Sequence, residues 1–159
     1  MMESSLTDDQ FITHPEPVWR ERSNFIIAAE LDDAAQRKYE QLFVRQVSKN
    51  RFEVCCIPFI LHQVALGDIV ETHAKNRRQY VVNKVVKSSG RYVFRVWLGD
   101  STFPREELAE QLTVLNALME WHTHNLLAID ATDMGHAQQI ADFLAEGERE
   151  GHYVYETGR

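Results

Sequence analysis

The chain is 159 residues long, 44% hydrophobic and 26% charged, with a formal net charge of −7, which is ordinary for a soluble domain able to bury a core. No apolar run approaches the ~20 residues that a bilayer-spanning helix needs. The start, Met1-Met2-Glu3-Ser4-Ser5, has neither the basic head nor the apolar stretch of a secretory signal, so a cytoplasmic location is expected.

Taken in order, residues 1–18 include Asp8, Asp9, Pro15 and Pro17 with little periodicity and are expected to form a flexible lead. Phe25-Ile26-Ile27-Ala28-Ala29 lies in a strand expected from Asn24 to Leu31, ended by Asp32-Asp33. Glu40 to Val47 and Arg51 to Ile57 flank the polar turn Ser48-Lys49-Asn50 and predict a hairpin closed by Pro58, which lacks a backbone donor. Gly67-Asp68 predicts a turn into a strand at Ile69 to Thr72, and Gln79 to Lys87 and Arg91 to Leu98 flank Ser88-Ser89-Gly90. In the last of these strands Tyr92, Phe94, Val96 and Leu98 alternate with Arg91, Val93, Arg95 and Trp97, predicting one core face and one basic and aromatic face.

Beyond Gly99 the pattern turns helical. Ser101 or Thr102 is a candidate cap, Pro104 suits the first turn, and Leu108, Leu112, Leu115 and Met119 repeat at helical spacing, predicting a helix to about His122. Asn125 to Ala131 reads as a buried strand, Thr132 or Asp133 caps a helix with Ala137, Ile140, Ala141 and Leu144 on one face, and His152 to Thr157 reads as a last strand. The expected fold class is α+β: an N-terminal antiparallel sheet or small curled barrel merges into a two-layer α/β sandwich of β-α-β-α-β order. The expected units are a lead over 1–18, a mainly antiparallel β subdomain over 19–90 and an α+β sandwich over 91–159.

Charge falls in blocks. Residues 1–35 carry 2 basic and 8 acidic side chains, residues 36–95 carry 12 and 4, and residues 96–159 carry 3 and 12. Each block acts within a Debye length of about 8 Å at physiological salt, which favours binding to oppositely charged partners over catalysis. Cys55 and Cys56 are adjacent and are the only cysteines; in a strand they point to opposite faces, one to core and one to surface or interface, and cannot alone make a zinc site. No nucleophile elbow and no phosphate-binding glycine loop occurs, the seven glycines being scattered.

Glu40-Gln41-Leu42-Phe43-Val44, Ile57-Pro58-Phe59 followed by Val64-Ala65-Leu66-Gly67-Asp68-Ile69-Val70, Ser89-Gly90-Arg91-Tyr92 leading to Arg95, Leu126-Leu127-Ala128-Ile129-Asp130 and Tyr155-Glu156 together carry a family likeness. Over roughly residues 40–157 the chain resembles a bacterial family known only as a domain of unknown function. The resemblance implies a fold and a bacterial origin; its motifs are turn and core residues and bring no catalytic residue with them.

Three functional expectations follow from the residues. Glu106, Glu107 and Glu110 on the first helix and Glu146, Glu148 and Glu150 near the end of the second would offer carboxylates to a basic protein, as in an immunity-type inhibitor of a toxin or nuclease; solvated helix faces explain the same residues more simply. Lys75, Arg77, Arg78, Arg91, Arg95 and Trp97 would set cations beside an aromatic platform suited to single-stranded nucleic acid, unless the acidic segments neutralise them within the fold. His122-Thr123-His124 with Asp130 and His136 has the residue types of a metal-dependent enzyme, although on a helix positions 122 and 124 lie about 200° apart. The leading expectation is a non-enzymatic protein that binds a basic partner and uses no cofactor.

Overall fold

The structure is a computed structural model describing residues 10–31 and 38–159. The described strands are β1 (Gln10–Ile12), β2 (Phe25–Glu30), β3 (Lys38–Ser48), β4 (Arg51–Val54), β5 (Ile69–Lys75), β6 (Arg78–Lys87), β7 (Tyr92–Trp97), β8 (Leu118–Trp121), β9 (Leu126–Ala131) and β10 (Val154–Thr157). The helices are α1 (Arg105–Val114) and α2 (Met134–Arg149), with a short 3-10 turn at Arg20–Arg22. Strands through Lys87 form one sheet and those from Tyr92 onward form another.

The first sheet curls into a five-stranded barrel. Strands β2 to β6 are antiparallel neighbours in chain order, except that the circuit closes through a parallel contact of β2 with β6 at Ala28 and Val81. Closure follows from the alternation of side chains: Ile27, Ala29, Leu42, Val44, Phe52, Val54 and Val70 all point into one interior. Each large member contributes about 1.5–3 kcal/mol by its burial. Asn76 and Arg77, at φ 52° and 67°, turn the β5–β6 hairpin, the backbone a two-residue loop needs to follow the strand twist.

The second sheet has the order β10-β7-β9-β8, antiparallel throughout, and both helices cover one of its faces. Phe94 and Val96 from β7, Leu98 just beyond it, and Leu127 and Ile129 from β9 pack there with Leu108 and Leu112 of α1 and Ile140 and Leu144 of α2. Asp133 caps α2, its side chain accepting from the His136 N–H at 2.8 Å, as the sequence suggests. The start of α1 differs: Ser101 Oγ accepts from the Phe103 N–H at 3.0 Å, and Pro104 occupies the cap without a side-chain bond.

Two expectations need correction. The order is β-α-β-β-α-β, not β-α-β-α-β, which with this strand order is the ferredoxin-like split arrangement. The apolar spacing through Met119 predicts one long helix, but Asn116 takes φ 63°, and its N–H and that of Ala117 fold back to the carbonyls of Thr113 and Leu112. That left-handed closure ends α1 and frees Leu118 to Trp121 to pair with β9. Of the expected lead over 1–18, residues 1–9 lie outside the described residues; beyond them β1 pairs in parallel with β3, and His14 and Pro17 are buried. The Asp32-Asp33 strand end also lies outside them.

Gly147 shows how tightly α2 meets the chain that follows it. A Cβ there would sit 2.0 Å from Tyr153 Oη and 2.3 Å from its Cζ. Alanine normally stabilises a helix interior by about 0.5–1 kcal/mol over glycine, but here the clash should dominate, and Gly147→Ala is expected to lower stability by about 1–3 kcal/mol. Urea denaturation checks this; a stabilised variant would show that the Tyr153 ring moves aside freely.

Candidate functional site

Where barrel and second sheet meet, the chain buries a cluster of charge. In β3, Glu40 shares its side of the strand with Leu42 and Val44, so its carboxylate enters the apolar interior at the barrel end. In β8, Glu120 projects from the sheet face opposite the helices. Between them lies His14, with Nε2 2.7 Å from Glu40 Oε2 and Nδ1 2.7 Å from Glu120 Oε1. All three side chains are at most 1% exposed, and the imidazole stacks on Phe59 with ring centroids 4.1 Å apart.

The segment Ile57–Leu61 supplies the remaining donors. Phe59 N–H donates to Glu40 Oε2 at 2.6 Å, Ile60 and Leu61 N–H to its Oε1 at 3.0 and 2.9 Å, and Ile57 N–H to Glu120 Oε2 at 2.7 Å. Val18 N–H also donates to Glu120 Oε2, at 3.2 Å. Each carboxylate is thus saturated, which is the condition for burying an ionised group.

Both imidazole nitrogens face carboxylate oxygens, so both carry hydrogens and His14 is a cation. Burial opposes that charge, but the bonds to Glu120 and Glu40 outweigh it and raise the pKa to about 12. Burial likewise opposes the charge of Glu40, and His14 with the Phe59 and Leu61 amides holds its carboxyl below the usual range. Burial pushes the Cys56 thiol up, and with the charge of Glu53 it pushes Cys55 up to about 12. Both cysteines are buried, so neither is the surface thiol expected from strand alternation. A thiol kept protonated beside an imidazolium already engaged on both sides lacks a base to activate it. The cluster therefore acts as an ionic clasp.

The face of β7 expected to be open lies against the barrel. Val93 and Ala128 pack with Ile57, Phe59 and Ala65 in the seam between the halves. Arg91 forms a bidentate pair with Asp130, at 3.0 and 2.7 Å, with its guanidinium 5.3 Å from the Trp19 ring centroid. Arg95 is 3% exposed; its guanidinium donates to the carbonyls of Pro58 and Leu61 and to Glu156 at 3.3 Å. Burial lowers its pKa, against the charges of Glu40 and Glu156. Trp97 alone of that trio is exposed, at 48%. Lys75 and Arg78 are on the β5–β6 hairpin strands, and Arg77 is in its turn. Lys75 binds Glu30 at 2.6 Å and Arg78 lies over the rings of Phe11 and Tyr39. The six residues do not assemble into one basic and aromatic platform.

Trp97 instead borders a cleft of about 210 Å³ between the Phe59–His62 segment and the β7–β10 edge, floored by Phe59 and Leu126 and walled by Ile60, Val154 and Glu156.

The acidic candidates behave differently. Glu106, Glu107, Glu110, Glu146, Glu148 and Glu150 are all exposed. Glu107, Glu146 and Glu150 line one groove between the helices, about 250 Å³ in volume, beside Phe103, His152 and Tyr153. Glu146 also contacts Arg149, and Glu148 accepts from the Tyr155 N–H at 3.2 Å.

The metal candidates are dispersed. His122 leans on Phe59, His124 is exposed in the β8–β9 turn, and Asp130 is held by Arg91. His136 Nδ1 accepts from the Thr132 N–H and its Nε2 meets the Leu115 carbonyl at 2.7 Å. Among the described residues no three His, Cys, Asp or Glu side chains are arranged to hold a metal ion.

Sequence reasoning missed the clasp. The available signal was Glu40, a carboxylate on the apolar side of an alternating strand; Glu120 was hidden by the expected helix, and nothing near His14 marks a partner 106 residues away. Asp68, from the Ala65-Leu66-Gly67-Asp68 turn, is a second buried carboxylate, bonded to the N–H groups of Ala65 and Ser89 and to Arg159.

No helix of the described residues is long and apolar enough to cross a membrane. No curated protein matches the sequence. The fold is similar to that in a crystal structure of a hypothetical protein from Neisseria gonorrhoeae, at 18% identity and a TM-score of 0.70 over 84% of this chain and 92% of that one. The residues that build the clasp and the Asp68 turn fall within 40–155 apart from His14, Val18 and Arg159, and that same span matches a family's sequence pattern: the chain belongs to the family described as Domain of unknown function (DUF4265).

Proposed function

We propose that this protein is a non-enzymatic binding module that engages a basic protein partner through its helix layer, in the manner of an immunity-type inhibitor of a toxin or nuclease. The observation that carries the reading is the division of charged residues between inside and outside. Glu40, Asp68, Glu120 and Asp130 are buried and occupied by partners within the fold, whereas the six helix-layer glutamates are exposed and three of them gather round one groove. Arg91 and Arg95, two of the five cations expected to serve nucleic acid, are engaged internally.

A carboxylate surface of this kind speeds encounter with a cationic protein and can occlude a cleft built for phosphate. Rim charges act mainly on association, so Glu106→Lys, Glu110→Lys and Glu146→Lys combined are expected to slow association with the captured partner by about tenfold or more at low salt while leaving the fold intact. The experiment is affinity capture from native lysate with and without nuclease, followed by association kinetics of the purified pair. An unchanged association rate, or recovery of nucleic acid with only nuclease-sensitive proteins, would contradict the proposal.

A further inference from the structure

We infer that the cleft between the Phe59–His62 segment and the β7–β10 edge is a binding site for a small organic carboxylate with a flat apolar body. Its volume of about 210 Å³ is below the roughly 300–1,000 Å³ of sites for drug-sized ligands, which points to a single-ring molecule. Three of the exposed large hydrophobic side chains of the described residues, Ile60, Trp97 and Val154, border it. Scattered singly they would need no explanation; gathered round one concavity they mark a place where an apolar body gains by leaving water.

The polar end of the ligand is set by Arg95. Three of its hydrogen bonds go to the neutral carbonyls of Pro58 and Leu61; these fix the guanidinium without neutralising it. The backbone of Gly158 lies against it so closely that a Cβ there would fall 2.9 Å from Cζ. Nη1 donates to Glu156, which with Arg95 itself lines the cleft, through one contact of 3.3 Å. Glu156 is 56% exposed, so its hold on Arg95 is shared with water and easily exchanged. Glu40, which lies behind, is taken up by His14 and three backbone amides. A ligand carboxylate entering the cleft would displace Glu156 and meet the same nitrogen in a drier setting, where a charge-assisted hydrogen bond is stronger, while its ring packs on Trp97 and Val154.

The test uses the full chain, isotopically labelled, titrated with benzoate, with the isosteric neutral benzamide and with benzylamine, following the Trp97 indole N–H and Arg95 Nε–H resonances by NMR. Benzoate is expected to give saturable shifts at both groups and to bind about tenfold or more tighter than benzamide, with benzylamine weakest. Glu156→Gln, which removes the competing carboxylate from an exposed position, is expected to tighten benzoate binding about fivefold without changing benzamide. Trp97→Ala should weaken both aromatic probes. Equal binding of benzoate and benzamide, shifts centred away from Trp97 and Arg95, absence of saturation, or a Glu156→Gln variant that binds benzoate no better would each overturn the inference.

Discussion

Glu120→Gln is expected to destabilise the protein by about 3–5 kcal/mol, the usual consequence of breaking a buried ion pair from one side. Glu120 accepts from His14 and from the amides of Ile57 and Val18. Glutamine keeps one acceptor but turns an NH2 group toward groups that are themselves donors, so at least one buried donor loses its partner at about 1–3 kcal/mol. The remainder comes from the imidazolium, which is left with one carboxylate in a site sealed from water. Urea denaturation measures the difference; a change within about 0.5 kcal/mol, the scale of an ordinary surface substitution, would show that the clasp adds little.

The clasp also sets the pH response. The pKa of His14 is raised from 6.5 to about 12, so its contribution to stability is complete below pH 6.5 and is lost progressively as pH rises toward about 12. Glu40 is lowered from 4.5, so its contribution is present above pH 4.5 and is lost as pH falls. The clasp is therefore strongest between these limits. From about pH 7.5 to 8.5, where the unfolded histidine has lost its proton and the folded one keeps it, unfolding should release close to one proton and stability should fall by about 1.4 kcal/mol per pH unit. A flat profile in that window would mean that His14 is neutral in the fold.

Asp68→Ala is the second substitution expected to have a large effect. Asp68 Oδ2 accepts from Ala65 N–H at 2.9 Å and Arg159 Nη1 at 2.6 Å, and Oδ1 from Ser89 N–H at 2.8 Å and Arg159 Nη2 at 3.0 Å. Removing the carboxylate leaves two amides unpaired and Arg159 without its counter-charge, a loss of about 3–5 kcal/mol. For a chain of this size that corresponds to a fall in Tm of about 10 °C. The double variant with Arg159→Ala should recover part of the loss, since it removes the stranded charge; strictly additive effects would argue against coupling.

Local chemistry was legible where it decided the structure. The alternation in Tyr92 to Trp97, the Ser48-Lys49-Asn50 turn and the Asp133 cap each name their element, because strand period, turn residues and cap bonds act over a few positions. The α1 end was misread because Leu115 and Met119 keep helical spacing past Asn116, whose left-handed backbone leaves no trace in an apolar pattern. The β7 face was misread for a different reason. Alternation tells which side chains share a face but not what covers it, and Arg95 is covered by a loop from the other half of the chain. The clasp joins residues 14, 40 and 120, a juxtaposition that only the fold creates. The exposure of the six helix-layer glutamates was legible because a charged residue on a helix needs no distant partner to stay in water.

Hydrogen exchange of the protein alone and in complex with its captured partner tests the helix-layer proposal most directly. Protection on binding is expected in α1, the second half of α2 and the turn leading to Tyr153, with the barrel strands unchanged. Protection confined to the β5–β6 hairpin and other barrel strands, with the helix layer exchanging as in the free protein, would contradict it.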